Sequence, residues 1–586
     1  MSFKKLIRLS IILFVFFLFF KTEAQTDNSI SVTQRLIKSS DEFFNKNLQQ
    51  NKKIAGISAA IISNDSAIWS NGFGYADKMN KVPMTARTVV NIGSITKTFT
   101  ALSVMQLKQK GLLNINNPLN SYLNDFRPKT KNINIKNITV RSVLTHTSGI
   151  QPDIWKNSDL GSGKYTDVLG YINDTYITYP PGLVGLYSNA GYNILGSLVK
   201  AVSRQDYAAY VHQNILAPLG MSQSGFAMDS LKYRSKIYLG GNEMEEYELR
   251  DIASGGIYTN INDFSKYAID LMKAYNGEGS SIIDSSTIHE MFSLQNQNVP
   301  IESNKKGLGW FMFKNDTNFA VYHAGSAGFA QAKLLLIPKS RFAVIVMTNS
   351  AEGGSIAEEF CFNFLNNYQL NIRDLFPAPI TGQIHSSSAP IKLSQHSLKR
   401  HLGNYAQEEG YIKVILEKDR LKLIDGEKQY FLTPLSSDEF LPVEIFPNDS
   451  LVDRSSKRFV FKTVDNENFL FQRIGDREYE YGLKLKKVNR SVWKKMIGKY
   501  RHFGYQMLIG DTKFKEVEIY ISEDSVLMMK LTTFGSARSI PLRVIAPNCT
   551  VTCGINAGFG GFNASFYEKD GQQVADFAGL TFRKDR

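Results

Sequence analysis

Residues 91–111, NIGSITKTFTALSVMQLKQKG, decide how the rest of this chain is read. Ser94 follows Gly93 where apolar residues (Phe99, Leu102, Val104, Met105, Leu107) begin to recur at helical spacing, so the pattern predicts a helix starting there. A serine at that point can be a plain N-cap. It can equally be a nucleophile, because helix N-terminal amides and the helix dipole favour developing negative charge. Lys97, three positions on, projects from the same face and can act as the base if burial lowers its pKa toward working pH. Ser2–Lys5, Ser303–Lys306 and Ser491–Lys494 repeat the spacing, so the four residues alone do not choose between the readings.

Outward from this stretch, 586 residues exceed one ordinary domain. The first residues, MSFKKLIRLSIILFVFFLFFKTEAQT, set Lys4, Lys5 and Arg8 before an apolar run, Ile11 to Phe20, with small Ala24 beyond it. That run is half the roughly 20 residues needed to span a bilayer, so residues 1–24 read as a signal peptide. The expected mature protein is exported, to the periplasm or the medium, with no transmembrane helix after signal removal. No cysteine follows the run, so a lipoprotein anchor is not expected. The formal charge of +14 is scattered rather than gathered on one element, which argues against a nucleic-acid partner. Cys361, Cys549 and Cys553 are too few for a disulfide framework; the last two can pair only if the chain turns between them. The eight histidines show no metal-ligand spacing, and no metal or other cofactor is expected.

Residues 31–50 read as a helix, and AGISAAIISNDSAIWSNGFGYAD as a hairpin about Asn64–Asp65–Ser66. From 94 to about 290 the chain is mainly helical; strands return at 308–350, and a helix at 355–368 follows. Strands before and after a helical insertion predict one antiparallel sheet flanked by helices, an α+β (mixed α/β) fold. This domain is expected over 25–375. Residues 376–395, rich in Pro, Gly and Ser, read as a linker. Beyond it, short strands and turns dominate, and LKRHLGNYAQ (398–407) is echoed by WKKMIGKYRH (493–502). The repeat predicts two mainly antiparallel β-barrel-like domains, 396–490 and 491–586. A chain ending near Pro377 is expected to fold, since few contacts cross a linker of this composition.

Three further stretches bear on Ser94. YPPGLVGLYSNAGYNILG (179–196) sets Tyr187 and Asn189 between a Pro-Gly turn and a helix, where a solvated turn tyrosine is the plain alternative. VYHAGSAGFAQAKLLLIP (321–338) sets His323, Gly325 and Ser326 on a strand whose small residues admit a ligand backbone and whose amides can form an oxyanion hole. LTHTSGI (144–150) and ASGGIYTNINDFSKY (253–267) can each be simple loop and helix junctions.

In this order, the motifs resemble the serine β-lactamase-like family: class C β-lactamases, D-alanyl-D-alanine carboxypeptidases, and related esterases and D-aminopeptidases. The resemblance covers roughly residues 35–365; the C-terminal part more loosely resembles lipocalin-like domains appended to some members. It implies Ser94 as acylated nucleophile and Lys97 as the amine taking its proton. Tyr187 would be the second acid–base group, with its pKa lowered by cations such as Lys97, and Asn189 would orient Lys97 and substrate. The amides of Ser94 and Ser326 would form the oxyanion hole, while His323 and Gly325 line the substrate strand. Where β-lactamases carry Lys-Thr-Gly, this chain has His323–Ala324–Gly325, which counts against efficient β-lactam hydrolysis. The implied activity is hydrolysis of an amide or ester through an acyl-serine, with D-residue peptides, cell-wall peptides among them, as first substrate class. Small acyl esters come second and β-lactams third; a penicillin-binding sensor without turnover is the alternative of another kind.

Overall fold

The computed structural model describes residues 32–158, 163–226, 231–246, 249–302, 304–376, 389–445, 451–453, 457–474, 477–502, 516–532, 536–554 and 560–585. The expected signal peptide and most of the expected linker lie outside these residues. Helix α1, Val32–Gln50, falls in one compact unit and residues 53–586 in another. No helix among the described residues is long and apolar enough to cross a membrane.

In the second unit, β1 (Gly56–Ser63) and β2 (Ser66–Asp77) form the expected hairpin, and β3 (Val82–Pro83) follows. The helical insertion contains α2 (Thr96–Gln109), α3 (Asn189–Ser203), the single turn α4 (Ile252–Gly255) and α5 (Ile261–Tyr275). The chain then returns as β4 (Phe311–Lys314), β5 (Phe319–Ala327), β6 (Ala330–Ile337) and β7 (Phe342–Thr348), and ends this region with α6 (Gly354–Phe362). One seven-stranded sheet results, in the order β3-β2-β1-β7-β6-β5-β4. Early and late strands meet where β1 pairs antiparallel with β7, Ile57 opposite Thr348. All of β7, and all of β1 except its last residue, is buried, because α5 and α6 cover these strands. Period-two alternation is therefore missing from them, as it is wherever both faces of a sheet are covered.

Helix α2 is buried from Thr96 to Leu107, on every side, rather than along one apolar stripe. Its hydroxyls are accommodated internally: Thr98 and Ser103 donate to carbonyls of the preceding turn, Ile95 and Phe99, and Thr100 to the Ala253 carbonyl. The sequence expectation of a helix opening at Ser94 needs one correction. Ser94 lies in a 3₁₀ turn, Gly93–Ile95, ahead of the α-helix, and neither helix receives a side-chain cap. Its hydroxyl is thus not taken up in capping.

Beyond residue 395 the repeat is realised as two barrels. Nine strands in 403–484 form a sheet in which Lys428–Pro434 pairs with Glu439–Ile445, closing eight strands; the ninth, Leu451–Asp453, adds at an edge. Eight strands in 498–584 close the second barrel. Gly403 and Gly498 open the two at φ +150° and +141°, which favours glycine. Tyr405 and Tyr500, two residues on, each donate to the carbonyl four residues before them, His401 and Met496, at 2.8 and 2.7 Å. Cys549 and Cys553 are buried free thiols, not a disulfide.

The expectation of few contacts between these barrels and the region before the linker is not met. Tyr179, Leu183, Val184 and Leu186 share a core with Phe469 and Phe471 of the first barrel. Trp155 belongs to the core of the second, its ring centroid 4.8 Å from that of Phe562 and 5.7 Å from that of Phe577. Composition marks where a linker runs, not what the domains on either side bury against each other.

Candidate active site

The centre of the site is an amine. Lys97, in the first turn of α2, is fully buried, and its Nζ has three partners: Ser94 Oγ at 3.0 Å, Asn189 Oδ1 at 2.7 Å and the Ser254 carbonyl at 2.8 Å. The three come from the turn before α2, the first residue of α3 and α4, so the packing of three helices fixes one nitrogen. Desolvation pulls its pKa from 10.5 down to about 7, against the attraction of Asp153 and Asp251. An amine neutral at that pH has two N–H donors and one lone pair. With carbonyl oxygens at Asn189 and Ser254 taking the donors, the lone pair faces the Ser94 hydroxyl.

Tyr187, Ser188 and Asn189 divide their tasks by geometry. Ser188 is extended and caps α3, accepting the Gly191 N–H at 2.8 Å. Its neighbours on either side both turn to the amine: Asn189 bonds it, and Lys97 Nζ stands 4.9 Å from the Tyr187 ring centroid. The Tyr187 hydroxyl bonds Ser94. The expectation of a lowered Tyr187 pKa is overturned, because burial raises it and outweighs that hydrogen bond. Tyr187 is half-buried, with its ring against Lys97 and His146, so it is not the fully solvated turn tyrosine of the plain alternative.

His146, from LTHTSGI, stacks on Tyr187 with centroids 4.3 Å apart, and its Nδ1 accepts the Ser188 N–H at 3.0 Å. Burial drives it well below the usual histidine range, so it is a neutral plate. The glycine pair in ASGGIYTN ends α4, and the following helix α5 is capped by Asn260. The use of this stretch is the Ser254 carbonyl.

Opposite the turn at Ser94 runs β5. Its pairing with β4 stops at Tyr322, and among the described residues His323–Ala327 have a strand partner on the β6 side alone. A Cβ on Gly325 would strike the Ile92 carbonyl and stand 3.1 Å from the Ser94 amide nitrogen; one on Gly93 would stand 2.5 Å from the Ser326 amide nitrogen. The two turns meet without side chains between them, which brings both amides to one spot. His323 is buried, its Nδ1 lies 2.7 Å from the Ala324 carbonyl, and burial followed by Lys97 holds its pKa down to about 3. The strand therefore offers a neutral imidazole where a lysine would offer charge.

Beneath the amine lies a group that carried no sequence signal. Asn189 Nδ2 donates to Asp153 Oδ2 at 2.8 Å, and the Ile154 N–H to Asp153 Oδ1 at 2.9 Å. Buried Arg250 pairs with Asp251 at 2.6 Å and also holds the Ile154 carbonyl at 2.6 Å. Burial raises both acids, Asp251 up to about 6.

An antiparallel sheet with a helical insertion, a half-buried serine beside a fully buried lysine, and a tyrosine and an asparagine converging on them fit the β-lactamase-like class of folds. The family model described as Beta-lactamase matches residues 44–359, more than half of the chain, and the chain belongs to that family. It is 28% identical over 314 residues to Protein flp of Staphylococcus aureus (strain NCTC 8325 / PS 47), a match covering 51% of this chain and 60% of that protein. It is 31% identical over 211 residues to the putative penicillin-binding protein PbpX of Bacillus subtilis (strain 168), covering 35% and 51%. The chain thus spans under two thirds of these curated relatives. Among solved structures, the octameric penicillin-binding protein homologue of Pyrococcus abyssi matches with TM-score 0.50 and 24% identity over 75% of this chain and 99% of that one. SurE matches with TM-score 0.54 and 21% identity, over 76% and 99%. These two likenesses concern the fold.

Proposed function

We propose that the protein is an exported serine hydrolase that cleaves an amide or ester through an acyl enzyme on Ser94. The observation that carries this is the Lys97 amine, with its other two partners both carbonyl oxygens and its third direction filled by the Ser94 hydroxyl at 3.0 Å. Near neutral pH the unprotonated amine takes the Ser94 proton as Oγ attacks the substrate carbonyl. The amides of Ser94 and Ser326 receive the oxyanion. Tyr187, kept a phenol by burial, gives its proton to the leaving atom and recovers one from the Lys97 ammonium. Water then attacks the acyl carbonyl, and the same groups return Ser94 to its starting state. Asn189 orients the amine and the substrate amide. Lys97 is the first base and Tyr187 the acid, a division that follows from burial acting in opposite senses on an amine and a phenol.

For the substrate, the edge at His323–Ala327, without a strand partner among the described residues on the side away from β6, favours a peptide, whose backbone can add to a strand, over a small ester. A carboxylesterase is the second reading. The neutral His323 counts against β-lactamase activity, since its imidazole offers the β-lactam carboxylate no charge where a lysine would. The test is a parallel screen of full-length protein against p-nitrophenyl esters, D- and L-aminoacyl anilides and nitrocefin, with intact-mass detection of the Ser94 adduct. D-anilides are expected to lead and nitrocefin to be slow. Nitrocefin turnover above every ester and anilide overturns the ranking, and an adduct without release identifies a penicillin-binding sensor.

A further inference from the structure

We propose that the second C-terminal barrel is a working part of the amine site: by gripping Gln151 and Trp155 it fixes Asp153 against Asn189, making Asp153 the positioning residue of Lys97. This rests on the acyl-serine reading above. The path is short and continuous. Asn563, buried in the barrel wall, donates its backbone N–H and its Nδ2 to Gln151 Oε1 at 3.0 and 3.1 Å. It also brackets Tyr176, donating to its carbonyl at 2.9 Å and accepting its N–H at 3.0 Å. Four residues past Gln151, the Trp155 N–H donates to the Ala578 carbonyl at 2.8 Å while its indole packs into the barrel's apolar core against Phe562 and Phe577. The segment is thereby held at both ends by one barrel.

Between those ends the segment is bonded to Ser188 and Asn189, the turn that supplies one partner of the amine. The Pro152 carbonyl accepts the Asn189 N–H at 2.7 Å, and the Gln151 carbonyl accepts the Ser188 hydroxyl at 2.7 Å. Asp153 takes the Asn189 amide, which orients its Oδ1 toward Lys97 Nζ. An asparagine amide can flip with little cost; a carboxylate on its NH₂ side removes that freedom, since only one orientation presents oxygen to the lysine. Burial raises the Asp153 pKa, and the two N–H donors on its oxygens oppose that shift.

The charges around Lys97 are few. Asp153 and Asp251 attract its proton, and Arg250 lies against Asp251. His146, His323, Tyr187 and Tyr192 face it uncharged. Lys306, which acts on His146, is paired with Glu302.

The experiment uses the full-length protein with p-nitrophenyl acetate and a fluorophosphonate probe. Asp153→Asn is expected to lower kcat about tenfold or more while leaving KM within a few fold. It should also move the acidic limb of kcat/KM down by about one pH unit, because an attraction for the ammonium is withdrawn. Asn563→Ala, and Gln151→Ala should the former fail to fold, are expected to move kcat and the limb in the same direction. Neither should add to Asp153→Asn in the double variant. A folded barrel variant whose limb stays in place overturns the proposal, whatever its kcat, as does full additivity with Asp153→Asn. A wild-type protein whose Ser94 is not labelled by the probe brings down the acyl-serine reading, and this inference with it.

Discussion

At Lys97, burial and charge oppose each other, and the balance can be read as stability. The folded-state pKa is about 7, against 10.5 for the free side chain. Below pH 7 the ammonium is carried in both states and its burial cost is felt in full, on the order of a few kcal/mol. Between pH 7 and 10.5 the unfolded chain binds the extra proton, so stability rises with pH across that window. Lys97→Met is therefore expected to raise Tm most at pH 6 and to lose that advantage progressively toward pH 10, followed by thermal melts across the range. A variant less stable than the parent at every pH would show that hydrogen bonds, not desolvation, dominate the site. Tyr187→Phe addresses the division of labour: a loss of about 10²–10⁴-fold in kcat/KM is expected with the acidic limb unmoved, since the limb belongs to the amine. A shifted limb would assign it to the tyrosine. Ser94, Lys97, Tyr187 and Asn189 were legible because each sits in a short motif with fixed spacing. Asp153 was not, because IQPDIWK has no spacing of its own, and the meaning of that acid arises only from α3 lying across it.

Among elements, the approach of β5 to the turn before α2 is the tightest constraint. Gly325 lies against the Ile92 carbonyl with no room for a methyl group, so Gly325→Ala must push the strand from the turn. Separating the two amides is expected to cost about 10²–10³-fold in acylation rate, the scale of a lost oxyanion donor. Circular dichroism should stay native, because the movement is confined to one strand end. Acylation at the parent rate in a folded Gly325→Ala protein would remove the Ser94 and Ser326 amides from the oxyanion role. The elements themselves were largely legible: the β1–β2 hairpin, the late strands and the barrel repeat follow from apolar runs, turn residues and a recurring Gly-x-Tyr. What the sequence misstated was local: Ser94 belongs to a 3₁₀ turn rather than a cap, decided by a backbone path that tertiary packing imposes.

For the whole molecule, the sequence separates the β-lactamase-like region from the barrels while the structure joins them. Gln151 and Asn563 are 412 positions apart, and no local pattern announces such a pairing. Trp155 is the residue that discriminates between the two views. It is 5% exposed with the barrel in place, and its surroundings there include Phe562 and Phe577. Ending the chain near residue 376 would return Trp155 to water together with the Tyr179–Leu186 face that meets the first barrel. Full exposure of one such side chain costs about 1.5–3 kcal/mol, and several go together here, a large share of the 5–15 kcal/mol that holds a domain folded. The truncated protein is therefore expected to melt well below the full chain, to bind a hydrophobic dye and to lose turnover even of p-nitrophenyl acetate. The matched experiment cuts the chain instead of shortening it. With a specific protease site introduced between 377 and 388, the two pieces should co-elute on size exclusion after cleavage and keep their esterase rate, because buried contacts rather than the connecting segment hold them together. Separation of the pieces with activity remaining in 1–376 would restore the view that the barrels are passengers.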